Sequence, residues 1–253
     1  MVNASVFLTD YHCPFHDKRA HALALLILQE LQPDEIILGS DGVDCYSISS
    51  FDRNPARKET LQDEIDTWIG LVKEIKQAAP NAKLTWLKGN HEDRLRRLIW
   101  NNVGLFGLRA LEWPNLLEFD DLGITAAKNN EVNYGDLLVI KHGSIARKES
   151  GYSAKAELEK ERYDLVTVSG HTHRAGAIYV TKRRGQVAGF EGGCLCSFDV
   201  AAEYTKGVVK PNWQHAITII WHGIGYHRPE LVVFNHGFEG QYHAIFQGKE
   251  FTA

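Results

Sequence analysis

Glu35-Ile36-Ile37-Leu38-Gly39-Ser40-Asp41-Gly42-Val43-Asp44 is the stretch on which the fold turns. Four residues, three of them apolar, make a short buried strand, and a glycine then releases the chain into a loop carrying two carboxylates. Four other places repeat the arrangement. A strand-like run over residues 4–9 precedes Asp10-x-His12, and one over 83–87 precedes Gly89-Asn90-His91-Glu92. Runs over 136–140 and 165–168 precede His142-Gly143 and Gly170-His171-Thr172-His173. In an open α/β sheet, ligands gather beyond the carboxyl ends of the strands. Five strands would therefore deliver carboxylates, imidazoles and an amide oxygen to one rim, which is the donor set a pair of divalent cations takes. Asp10 and His12 lie two apart, as do His171 and His173, so an extended backbone would turn each pair to one side.

Between these runs, residues 17–31 and 57–79 have helical periodicity. With their strands they form β–α units and predict a parallel sheet. Residues 92–118 look helical but interrupted, are rich in arginine and tryptophan, and predict a small helical cap insertion. A helix over 154–162 follows. Beyond it, runs at 177–181, 186–190, 216–221, 231–234 and 243–246 predict mostly antiparallel strands. Lys182-Arg183-Arg184-Gly185 reads as a charged hairpin turn. No repeat or low-complexity linker interrupts the chain, so one domain over residues 1–253 is expected.

The 253 residues are 44% hydrophobic, enough for a sizeable core. A formal net charge of -4 argues against a surface coated for nucleic acid, although a local basic patch is compatible with it. No apolar run approaches the roughly 20 residues that span a bilayer, so no membrane partner is expected. The start of the chain lacks a signal-peptide pattern. A cytoplasmic compartment is expected, with Cys13, Cys45, Cys194 and Cys196 as packing thiols rather than disulfides.

In this order the motifs resemble those of the calcineurin-like metallophosphoesterases: Asp-x-His, Gly-Asp-x-x-Asp, Gly-Asn-His-(Asp/Glu), a lone His, then Gly-His-x-His. The match runs from Asp10 to His173. The resemblance implies an α/β fold, a four-layer α/β/β/α sandwich of mixed sheets, with two metals between the sheets. It implies Asp10, His12 and His173 as ligands of one metal and Asn90, His142 and His171 as ligands of the other. Asp41 would bridge the two, and His91 would be the catalytic histidine, contacting substrate rather than metal. Ser40 departs from the pattern, because the family's glycine is followed directly by aspartate. Tyr204-Thr205-Lys206-Gly207 and Pro211-Asn212-Trp213 resemble phage-encoded members, which would place the protein in an infected host cell.

The expected function is that of a dinuclear-metal-dependent phosphoesterase acting on phosphodiesters of nucleotide or nucleic-acid type. A phosphomonoesterase or protein phosphatase on the same metal core is the alternative. A non-catalytic scaffold of the same fold, such as a retromer subunit, is a minor one. Two cations about 3.5–4 Å apart share a water and lower its pKa, so a bridging hydroxide would attack phosphorus. His91, if protonated, would donate to the leaving oxygen or stabilise the transition state. Mn²⁺ is the expected metal, and Zn²⁺, Fe, Ni²⁺, Co²⁺ or Mg²⁺ also suit the donors. Glu92 is expected to orient its loop or accept from a ligand imidazole, and Asp44 to stabilise its own loop. Arg94, Arg96 and Arg97 belong either to a solvated helix face or to the rim of the site, where they would attract phosphate. His16 is structural, supports the site, or faces substrate. His21, His215, His222, His227, His236 and His243 read as ordinary structural histidines. Trp100, Phe106 and Trp113 are expected to form the core of the cap rather than base-stacking platforms.

Overall fold

A computed structural model describes residues 3–51, 53–183, 185–200 and 211–253. The first half alternates strand and helix: β1 (Asn3–Leu8), α1 (Lys18–Leu31), β2 (Glu35–Leu38), α2 (Leu61–Ala78), β3 (Lys83–Trp86). Three short helices follow, α3 (Asp93–Asn101), α4 (Trp113–Leu116) and α5 (Phe119–Leu122). Next come β4 (Ile124–Ala126), β5 (Glu131–Tyr134), β6 (Leu138–Lys141), α6 (Tyr152–Lys160) and β7 (Val166–Ser169). The last third is mostly strand: β8 (Ala175–Lys182), β9 (Gly185–Gly192), β10 (Ala216–Gly223) and β11 (Tyr226–Val233). The small strands β12 (Asn235–His236), β13 (Tyr242–Phe246) and β14 (Lys249–Thr252) close the chain.

One sheet has the order β11-β10-β1-β2-β3-β4 and the other β5-β6-β7-β9-β8. β1 to β4 run parallel, and β10 adds antiparallel to β1, with Asn3 opposite His222 and Phe7 opposite Thr218. In the second sheet, β6, β7 and β9 are parallel to one another, while β5 and β8 are antiparallel to their neighbours. The strands β12, β13 and β14 form a small third sheet beside α1.

Why the strands are apolar on both faces is visible residue by residue. Successive side chains on a strand point to opposite faces. Val6, Leu8 and Ile36 pack with Leu23 and Ile27 of α1 and with Trp68 and Val72 of α2. Phe7 and Ile37 face the other way, into a second core with Leu138, Ile140, Val168 and Phe190 of the opposing sheet. The helix α6 covers that sheet's outer face. It lies so close at Gly189 that a methyl there would meet the Ala154 carbonyl at 2.6 Å. The layers therefore run helix, sheet, sheet, helix, as the sandwich expectation had it.

Several boundaries differ from the sequence reading. The helix expected over 57–79 begins at Leu61, because Thr60 caps it. The Thr60 hydroxyl accepts from the Asp63 N–H while the Asp63 carboxylate accepts from the Thr60 N–H. Strands β4, β5, β12 and β14 lie outside the expected runs, being short and only partly apolar. β9 pairs parallel to β7 as well as antiparallel to β8, so the later strands are not uniformly antiparallel. The cap is α3 and α4 joined by turns, too little structure to enclose all of its aromatic residues. Trp113 is buried, but Trp100 is 56% exposed and Phe106 70% exposed, which corrects the expectation of an aromatic cap core. The four cysteines are free and buried. Arg184 and the Tyr204–Gly207 motif lie outside the described residues. Among the described residues, no helix is long and apolar enough to cross a membrane.

Leu138 is fully buried between the sheets. Leu138→Ala should cost about 2–5 kcal/mol, the usual range for emptying such a site. An unchanged urea midpoint would contradict its place in the core.

Candidate metal centre

The loops leaving β1, β2, β3, β6 and β7 converge at one end of the sandwich. Their backbones lock together first. The Asp10 N–H donates to the Ser40 carbonyl (3.1 Å) and the His12 N–H to the Asp41 carbonyl (2.8 Å). Asp10, His12, Asp41, His171 and His173 all take positive φ, between 51° and 72°. The Asp-x-His and His-x-His pairs are therefore not extended, contrary to the sequence reading. Left-handed backbone costs a residue with a Cβ of order 1 kcal/mol, so the surrounding hydrogen bonds must hold these loops in place.

Buried acids supply many of those bonds. The Glu92 carboxylate accepts N–H groups from Gly89 (2.7 Å), Asp41 (3.1 Å), Gly42 (2.8 Å) and Val43 (3.3 Å). It thus orients two loops, the first of the two roles expected for it. Burial and the Asp41 charge push its pKa up to about 8, and the donated N–H bonds pull the other way. Asp10 accepts the His171 N–H through both oxygens and the Thr9 hydroxyl at 2.6 Å. Two acids were not singled out from the sequence. Glu157 accepts the Ser144 and Ile145 N–H groups at 2.7 and 3.0 Å, fixing the loop beyond His142. Glu191 accepts the Thr172 hydroxyl at 2.6 Å, between the two histidines of the last motif. Neither lies in a motif, and only their burial marks them.

The donor atoms then fall into two groups. In the first, His12 Nε2 lies 2.9 Å from His173 Nε2, and His173 Nε2 lies 3.4 Å from Asp10 Oδ1. In the second, His142 Nε2 lies 2.8 Å from Asn90 Oδ1, 3.1 Å from His171 Nδ1 and 3.3 Å from Asp41 Oδ2. In Asp10-His12-His173 and in Asp41-His142-His171 the ligand atoms all lie within 4.8 Å of one another. All seven sequence-predicted ligand residues thus come together.

The donor chemistry fits cations. Asp44 Oδ1 sits 2.7 Å from His12 Nδ1, so that nitrogen carries the proton and the Nε2 lone pair faces His173. Ser40, the residue that departs from the family pattern, hydrogen-bonds His142 Nδ1 and leaves Nε2 facing Asn90 and Asp41. Nitrogens so close together share at most one proton per pair, whereas a cation accepts every lone pair. Burial lowers the pKa of His12 and of His171, which favours the neutral, metal-binding imidazole. For Asp41 burial acts in the opposite sense, but the neighbouring histidines outweigh it and lower its pKa, keeping the carboxylate charged.

Asp44 does more than stabilise its own loop. Its Oδ1 also lies 2.9 Å from His91 Nδ1, and its carbonyl accepts from Arg94 Nη1 at 2.8 Å. His91 Nε2 faces Asp41 Oδ2 at 3.9 Å and Arg94 Nη2 at 3.2 Å. Burial opposes a charge on His91, yet Asp41 and Asp44 prevail and raise its pKa to about 9. Arg94 thus belongs to the rim, whereas Arg96 and Arg97 are exposed on α3. His16 stands outside both donor groups. It bridges Cys196 and packs near His21. The Trp213 ring, in the Pro211-Asn212-Trp213 motif, lies edge-on 4.2 Å from that of His173.

Residues 5–175 match the family model for calcineurin-like phosphoesterases. The chain is 24% identical over 248 residues to the Gene 54 protein of Mycobacterium phage D29, covering 90% of this chain and 92% of the relative. Similar solved structures include Vps29 from Cryptosporidium parvum, 11% identical, covering 100% of this chain and 96% of that one at a TM-score of 0.45. Chaetomium thermophilum Vps29 complexed with a cyclic peptide is 10% identical, covering 100% and 97%, at a TM-score of 0.49.

A methyl at Gly89 would sit 2.0 Å from Asp41 Oδ1, whereas one at Gly104 would meet nothing within 4 Å. Gly89→Ala should therefore lose most of the bound metal in elemental analysis, and Gly104→Ala should retain it. Equal metal content in the two variants would show that Asp41 does not hold an ion.

Proposed function

Because this chain belongs to the calcineurin-like phosphoesterase family, we propose that it is a metal-dependent phosphodiesterase acting on esters of nucleotide or nucleic-acid type. The observation that carries the reading is the meeting of two complete donor groups with a histidine held against Asp41 and Asp44. The diester preference is supported by Arg94 at the rim and by the arginines that follow it on α3.

Asp10, His12 and His173 would hold one ion, Asn90, His142 and His171 the other, and Asp41 both. When bound, divalent ions supply neutralisation of the phosphoryl oxygens and a water of lowered pKa. Mn²⁺ is the ion proposed for activity, on the mixed nitrogen and oxygen donors. The chain's own residues do the rest. Asp44 fixes the His91 ring through Nδ1, so that Nε2, which accepts from Arg94 Nη2 at 3.2 Å here, would face the leaving oxygen and donate to it once protonated. Arg94 places a second positive charge beside that nitrogen, where the substrate phosphate carries its negative charge. Asp44 also orients His12, so one carboxylate positions both a ligand and the proton donor.

His91→Ala should lower turnover about 10²–10⁴-fold, the span typical of a lost general acid, with metal content unchanged. Full turnover on an unactivated diester would remove His91 from its role. Chelator-stripped protein should be inactive and recover with Mn²⁺. Restored ion at about 100 times its dissociation constant should add about 2.7 kcal/mol of stability. A panel of activated monoesters and diesters across several divalent ions decides the substrate class, and a clear monoester preference would overturn the diester reading.

A further inference from the structure

The second donor group draws on both sheets. Asp41 and Asn90 follow β2 and β3 of one, and His142 and His171 follow β6 and β7 of the other. Its shortest contact, 2.8 Å between His142 Nε2 and Asn90 Oδ1, therefore spans the space between the sheets. Asn90 offers a neutral amide oxygen. Without a charge to draw a cation from a distance, its contribution depends on where that oxygen is held.

One residue outside every motif reaches both loops. Asn130 immediately precedes β5, on the segment that carries the chain from β4, at the edge of the first sheet, to β5, at the edge of the second. Its Oδ1 accepts the Lys88 N–H and its Nδ2 donates to the Lys88 carbonyl, both at 2.6 Å. Lys88 stands two residues before Asn90. Beyond β3 and β4 the Ala127 N–H donates to the Trp86 carbonyl at 2.8 Å, and the Asn130 amide carries this pairing on to Lys88. On its other side β5 pairs antiparallel with β6, with Glu131 opposite Lys141. One further step along that register brings Asn130 opposite His142. Asn90, Asn130 and His142 stand together in the wall of a cavity of about 540 Å³. The residue type fits the place. Asn130 takes a φ of 59°, a left-handed backbone that asparagine tolerates better than most residues with a Cβ. Its amide carries both an acceptor and donors, the complement of a peptide N–H and C=O. Asn129 is equally left-handed, with φ 54°, but it is exposed, and among the described residues its side chain makes no hydrogen bond.

We propose that Asn130 is a positioning residue for the second ion. By clamping the Lys88 peptide beside β5 it sets the Asn90 oxygen against His142, and so sets the affinity of that ion and not of the first. The role rests on both donor groups holding ions and is independent of the ester cleaved.

Mn²⁺ binding to the chelator-stripped full chain, followed by titration calorimetry and electron paramagnetic resonance, tests this role. Wild type should take up two equivalents and show the spin-coupled spectrum of neighbouring ions. Asn130→Gly keeps the left-handed backbone and removes the clamp. It should weaken one equivalent about 10–100-fold, the usual cost of losing the partner behind a ligand, and leave the other unchanged. Its spectrum should be that of isolated Mn²⁺ at concentrations that fill both sites in wild type. Asn129→Gly should match wild type. Asn90→Ala should weaken the same equivalent, and adding Asn130→Gly to it should cost little more, because one residue acts through the other. Thermal unfolding of the stripped proteins checks that each is folded. If the glycine variant does not fold, Asn130→Asp carries the same expectation, because it keeps an acceptor for the Lys88 N–H and has no hydrogen for the carbonyl. Equal weakening of both equivalents, unchanged binding in Asn130→Gly, an equal loss in Asn129→Gly, or full additivity with Asn90→Ala would overturn the role. Wild type that binds fewer than two ions would instead refute the two-ion reading, and the role with it.

Discussion

A single buried carboxylate, that of Glu92, holds the centre of this molecule together. Its two oxygens collect four backbone N–H groups from the loops after β2 and β3. Without it, those donors would be buried and unmatched, at about 1–3 kcal/mol each. The strained backbone of Asp41 and the close approach of Gly89 to it depend on this clamp. The rest of the site repeats the device on a smaller scale, with Asp10, Glu157 and Glu191 each accepting hydrogen bonds from a loop of the site. The rigid sandwich supplies strand ends, but buried acids turn those ends into a cage.

Asp44 adds a coupling that a list of ligands would miss. The same oxygen atom meets His12 on one side and His91 on the other. A change in the charge on either ring is therefore felt by the other through one shared partner. Such networks stabilise when complete and are costly when half-made. This explains why the carboxylate stays charged although burial opposes it, since both rings pull its pKa down.

Much of this was legible from residue order alone. The strand-end position of each motif follows from apolar runs broken by glycine and polar loops, and the layered sandwich is what the family resemblance implied. What escaped had physical reasons. Asp10 and His12 are two apart, and spacing says nothing of a left-handed backbone that only tertiary hydrogen bonds can hold. Glu157 and Glu191 sit on a helix and a strand like any surface acid, and their burial appears only on packing. Ser40 read as an insertion in a motif and proved to be the partner of His142. Trp100 and Phe106 were assigned to a core because large aromatics usually bury themselves, but the cap has too few elements to enclose them.

The pairing of β1 with β10 has a consequence for how the protein is made. Asn3 and His222 are neighbours across more than two hundred residues of chain. During synthesis, the first strand leaves the ribosome long before its partner exists. Its edge toward β10 stays bare until about residue 223 has emerged, while every ligand loop up to His173 is already outside. Contacts of such separation close slowly, and an uncovered strand edge invites foreign pairing in the meantime. A nascent chain of this design gains from chaperone cover, or from α1 and α2 docking early on β1 and β2, until translation delivers the missing strand.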